Sequence, residues 1–126
     1  MRTFHLGDIL SVTTGKLIAP GGIGAIYDIL NYMTTDNLFT HQIPRACREC
    51  SPWLLRQHPQ LSEIIVPTLD ANTWRAWLDE QVRKYGERLP VDPIPADDHD
   101  RKDPIQEVQE MVGKDRVIVV RPPDAE

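Results

Sequence analysis

The 126-residue chain predicts a mainly helical α+β domain with a small β-sheet that includes residues 116–120. Three observations lead to that class. Apolar residues recur at helical spacing through 23–33 and again through 74–85. Prolines and glycines, 11 and 7 of them, cut most of the remainder into short pieces. "RVIVV" at 116–120 is the one stretch with the β-branched density of a strand. The length fits a single domain over 1–126, able to bury roughly two-thirds of its unfolded surface. Its expected parts are a helical core over about 4–86, a Pro/Asp-rich arm over about 87–103, and a C-terminal helix and strand over 104–121.

Residues 7–14, "GDILSVTT", predict a short helix with Asp8 in its first turn and Gly15 as its stop. Thr3–Leu6 is readable instead as a strand leading into it. Pro20, Gly21 and Gly22 then make a turn. Ile23, Ile26, Tyr27, Leu30 and Met33 form the apolar face of the next helix, and Thr34–Asn37 break it. Leu38 and Phe39 are expected core anchors. Pro44 suits the first turn of a helix over about 44–50, and Ser51-Pro52 predicts a restart. Pro59 opens another turn or two, and Pro67 ends that region. Asn72 or Thr73 caps the next helix, Trp74, Trp77, Leu78 and Tyr85 line it, and Gly86 closes it. "LPVDPIPADDHDRKD" reads as an extended linker. Ile105, Val108, Met111 and Val112 mark a last helix stopped by Gly113. The strand at 116–120 needs a partner: Thr3–Leu6, or a second copy of the chain. A homodimer is therefore expected, with the lone strand and the Pro-rich arm inviting pairing or swapping.

A net charge of −5 argues against a broad grip on nucleic acid, although Arg45, Arg48 and Arg56 lie close in sequence. It suits solubility, and it also suits docking on a basic partner. No stretch approaches the ~20 apolar residues that span a bilayer, so no membrane partner is expected. The first residues lack a signal peptide's apolar region, and the two cysteines offer no disulfide framework. A cytoplasmic location follows as the expectation.

The chemistry-bearing residues concentrate in "THQIPRACREC", 40–50. His41, Gln42 and Arg45 form the candidate functional cluster. Cys47 and Cys50 share a helical face, and with His41 and His58 they make up a possible zinc set. The order His-x5-Cys-x2-Cys-x7-His is no standard finger spacing, so the cofactor expectation is none, with zinc as the alternative. A redox pair needs its cysteines at a helix start after a strand, whereas Pro44 places these inside or at the end of a helix. A Cys–His nucleophile with Asp36 or Gln42 assisting lacks a strand-to-helix elbow. Small core cysteines are the plain reading. Gly15-Lys16 lacks the Ser/Thr of a phosphate loop, and Gly22-x-Gly24 lacks its third glycine. Asp97, Asp98, Asp100 and Asp103 lack the Gly and closing Glu of a calcium loop. They are candidates instead for contact with a partner.

"FHLGDILSVTTGKLIAP" (4–20) and "YDILNYMTTDNLFTHQIPRACREC" (27–50) resemble a family of small uncharacterised proteins carried by bacteriophages, prophages and other mobile elements. The similarity runs over about 4–60. It brings no functional residue with it. It implies a context in which small acidic proteins bind and block a host protein, including defence systems such as CRISPR effectors. The expected function is thus an interaction protein of a host cell's cytoplasm, binding a host protein or complex without catalysis. Two alternatives stand beside it: a small enzyme or zinc protein built on His41, Gln42, Arg45, Cys47 and Cys50, and a DNA-binding accessory regulator, against which the prolines at 44 and 52 count.

Overall fold

The computed structural model describes residues 1–99 and 104–113. Strand β1 (Arg2–His5) leads directly into helix α1 (Leu6–Thr14), followed by α2 (Ile23–Thr34), α3 (Ile43–Gln57), α4 (Trp74–Tyr85), β2 (Arg88–Val91) and α5 (Pro104–Gly113). Short 3-10 turns cover Thr40–Gln42, Pro59–Glu63 and Ala96–Asp98. The fold is mainly helical with a two-stranded antiparallel sheet. No helix among the described residues is long and apolar enough to cross a membrane.

Helix α1 is the hub. His5 Nδ1 accepts the Gly7 N–H at 2.9 Å and starts it. Gly15 ends it in the left-handed region, φ 77°, returning its N–H to the Ser11 carbonyl. Leu6, Ile9 and Leu10 are wholly buried, because α2, α3 and α4 all pack against this helix. Gly7 is required by that crowding: a Cβ there would meet the Ile18 carbonyl oxygen at 2.5 Å. Ser11 Oγ donates to the Gly7 carbonyl and accepts the Ile18 N–H, pinning the next segment to the helix.

The buried face of α2 consists of Ile26, Ile29, Leu30 and Met33, whereas Ile23 stands exposed at its start. Helix α3 runs unbroken through Pro52, so the predicted restart at 51 does not occur. Pro52 lacks an N–H for the Arg48 carbonyl, but both residues lie on the exposed side of the helix, where losing that bond costs least. Leu38 is buried as expected; Phe39 is not, standing 57% exposed. Thr73 is the N-cap residue of α4, as one reading had it, but it makes no side-chain cap bond; Asp70 holds the turn before it. Its Oδ1 accepts from the Asn72 and Thr73 N–H groups, and these bonds hold its carboxyl below the usual range.

The sheet corrects the reading of the Pro-rich arm as linker throughout. Its first residues form β2, paired with β1 in the register Arg2↔Val91, Thr3↔Pro90, Phe4↔Leu89, His5↔Arg88. Pro90 is tolerated because β2 has a sheet partner on one side only. Phe4 packs its ring 5.4 Å from Tyr32 of α2, and the Ile94 N–H reaches the Met33 carbonyl at 3.0 Å. Thr3–Leu6 is thus largely strand, as one reading had it, but its partner is β2. The predicted strand at 116–120 lies outside the described residues, as do Asp100 and Asp103.

Candidate functional site

The residues singled out at 41–45 come together in space, and what they surround is the chain's own C-terminal arm. Gln42 closes the 3-10 turn before α3; it is only 1% exposed. Its Oε1 accepts the Phe39 N–H at 2.9 Å, and its Nε2 donates to Glu107 Oε1 at 2.9 Å. Arg45, one turn into α3, grips the same carboxylate with two parallel bonds: Nε to Oε2 at 2.7 Å and Nη2 to Oε1 at 2.8 Å. Its Nη1 donates to Glu49 Oε2 at 2.7 Å, the i,i+4 neighbour on the same helix. Bonding to Glu107 is the main reason the guanidinium holds its proton even more tightly than usual.

Glu49 passes the network on. Its Oε1 lies 2.5 Å from His99 Nδ1, and the other ring nitrogen faces Asp36 Oδ2 at 2.9 Å. The His99 side chain is almost fully enclosed. Each ring nitrogen of His99 thus faces a carboxylate. His41 Nε2 donates to the Pro104 carbonyl at 2.8 Å, fixing the first residue of α5. The line Asp36–His99–Glu49–Arg45–Glu107–Gln42 is therefore one continuous polar clasp. Its two outer plugs, His99 and Glu107, come from the arm; the socket comes from α3 and the segments before it.

Among the described residues no group of three or more His, Cys, Asp or Glu side chains is placed to hold a metal ion. Cys47, Cys50, His41 and His58 therefore do not assemble into the four-ligand set. His58 instead donates to the Pro90 carbonyl at 2.6 Å, tying α3 to β2. Cys50 is buried in the core, and burial pushes its thiol up to about 12. Cys47 is half-buried and also raised by burial, with Arg48 partly offsetting it. It borders a groove lined also by Val12, Ile43 and Arg48, and burial disfavours the thiolate at both cysteines. Gly15 is spent on the α1 stop, and Gly22 precedes α2 at φ 70°. Asp97 and Asp98 are exposed on their 3-10 turn. Arg45 faces inward to its carboxylates, while Arg48 and Arg56 are exposed, Arg56 lying 4.3 Å over the Trp53 ring.

The sequence pointed to Gln42 and Arg45, and to Asp36 only as a possible assistant to a nucleophile; it did not point to Glu49, His99 or Glu107. The Arg45/Glu49 spacing of four was a local signal for one of them. His99, a lone imidazole in an acidic run, was a second, weaker one. Nothing local marked Glu107, because its partners lie more than 60 residues away.

Residues 4–64 match the model of a family described as a domain of unknown function, DUF7736. The match takes in the end of β1 and all of α1, α2 and α3, hence Asp36, Gln42, Arg45 and Glu49; His99 and Glu107 lie beyond it. No curated protein and no solved structure matches the chain.

Proposed function

We propose that this protein works by binding a host protein or complex in the cytoplasm of a host cell, without catalysis and without a cofactor. The observation that carries this reading is the clasp. The polar residues that looked most like reaction machinery are engaged in holding α5 to the body, with Gln42 and Glu107 buried. The exposed surface in turn offers apolar side chains of the kind that anchor interfaces, including Leu17, Ile65 and Phe39. The net charge of −5 favours a partner with a basic surface. The resemblance of 4–20 and 27–50 to proteins of mobile elements supports a host defence system, such as a CRISPR effector, as the target class.

The test is a tagged full-length protein produced in a bacterial host, cross-linked and recovered, with partners quantified by mass spectrometry. One partner at near-equal amount is expected. Leu17→Asp together with Ile65→Asp should lower its recovery at least about tenfold. A parallel assay of CRISPR interference or phage plating should lose the protein's effect with the same double variant. Recovery of the protein alone, with interference and plating unchanged, overturns the proposal.

A further inference from the structure

Helix α5 is held to the body through a carboxylate. Among its described side chains only Glu107 is buried, while Ile105 and Val108 are 70% and 36% exposed. Three donors converge on that one carboxylate. Arg45 Nε and Nη2 take its two oxygens side by side, and Gln42 Nε2 donates to Oε1 as well. His41 Nε2 adds a bond to the carbonyl three residues earlier, at Pro104. The donors are themselves fixed. Gln42 is oriented by the Phe39 N–H on its Oε1, and Arg45 by Glu49 on its Nη1. Neither of those fixing bonds comes from α5. A planar fork backed by a preset amide is a receptor for a carboxylate.

The receptor and its occupant come from different parts of the chain. His41, Gln42, Arg45 and Glu49 all fall within the residues 4–64 that match the family model, and α5 falls outside them. The attachment of α5 is also of an exchangeable kind. Charge-assisted bonds are made as well by one carboxylate as by another, whereas a buried apolar face has to be matched in shape. The charge of the occupant is limited too. Glu49 already holds Arg45 Nη1 at 2.7 Å. A singly charged planar group fits beside it, and the second charge of a phosphate is repelled.

We infer that His41, Gln42 and Arg45 form a binding site for a glutamate-bearing helix of another protein, and that α5 occupies it as a self-inhibitory plug. The seat fits one turn of helix: a backbone carbonyl for His41 and, three residues on, a carboxylate for Gln42 and Arg45. Being part of the same chain, α5 competes at an effective concentration of roughly the millimolar order. A rival helix in solution therefore binds the closed chain weakly, in proportion to the fraction of molecules whose plug is out. The seat uses neither Leu17 nor Ile65, so a failure here and a failure to recover a host partner through those residues are separate results.

The probe is a capped peptide of residues 104–113, titrated into isotope-labelled full-length protein carrying Glu107→Ala. The Arg45 Nε–H and Gln42 side-chain amide resonances report occupancy. Saturable shifts of both are expected, with an affinity at least about tenfold higher than for the unaltered chain, whose plug is in place. The same peptide carrying Glu107→Gln should bind at least about tenfold more weakly. Adding Arg45→Met to the protein should abolish the Gln42 shift. No saturable shift overturns the inference. So does equal binding of the glutamine peptide, or tighter binding of a peptide with phosphoserine at the same position. Should Glu107→Ala fail to fold by circular dichroism, the unaltered chain decides. Millimolar peptide should then displace its Val108 amide resonance from the closed position, and an unmoved resonance overturns the inference.

Discussion

Asp8 sits buried in the first turn of α1. The helix dipole favours a carboxylate there, and His5 and Arg88 pull in the same direction. Burial outweighs all three and pushes the carboxyl above its ordinary range. The sign of the consequence follows. The folded state binds this proton more tightly than the unfolded chain does, so stability falls as pH rises past the ordinary aspartate value of about 4. It levels off once the folded carboxyl has also ionised. Asp8→Asn keeps an acceptor at the same place and removes the desolvated charge. Thermal melts should therefore show the variant a few degrees more stable at neutral pH. The gain should shrink as pH is lowered through the ordinary carboxylate range and vanish below it. A variant that is less stable at neutral pH, or a difference that does not change with pH, would show that a hydrogen bond rather than the charge dominates at Asp8.

At the scale of elements, the arm and the body are joined by different forces. The body is closed by Leu6, Ile9, Leu10, Ile29, Leu30, Met33 and Leu54, all wholly buried. Past Ile94, the buried residues described are His99 and Glu107. Breaking a buried ion pair by removing one partner costs about 3–5 kcal/mol, because the remaining charge is stranded. Here the cost should be met locally, since α5 can swing its carboxylate into water. Arg45→Met is expected to speed amide exchange in the second half of α5 by about 100-fold or more, while amides of α1 and α2 keep their protection. Glu107→Gln, which leaves the Arg45–Glu49 pair in place, should have the same pattern at smaller size. Uniform acceleration across all helices would mean that the clasp is part of the global core. The elements also mark what was legible beforehand. The faces of α2 and α4 are written in neighbouring residues, so periodicity found them. The unbroken run of α3 depends on Pro52 facing water, and β2 exists because β1 lies alongside; both are tertiary facts. The clasp was half legible for the same reason: Gln42 and Arg45 stood out, and Glu107, the carboxylate that joins them, is distant in sequence.

For the molecule as a whole, the division between an apolar body and a charge-held arm predicts where the chain can be cut. Ile94 is the last buried apolar side chain described, and its N–H is bonded to the Met33 carbonyl in α2. A chain ending after Ile94 keeps β2 on β1, Val91 in the core and the Gln57 bonds to Asp92. It loses His99 and Glu107, but the socket they vacate opens to solvent, so Asp36, Glu49 and Arg45 are rehydrated rather than stranded. A chain ending after Gly86 loses far more. Phe4 and Tyr32 lose the strand beside them, the Leu6 N–H loses its bond to the Glu87 carbonyl, and the wholly buried Val91 is gone. Urea denaturation should therefore show cooperative unfolding for the longer truncation, with a midpoint only modestly below that of the full chain. The shorter one should show no cooperative transition. If the chain cut after Ile94 also unfolds without cooperativity, the polar clasp contributes to the core as much as the apolar contacts do. The partition of forces drawn between body and arm would then be wrong.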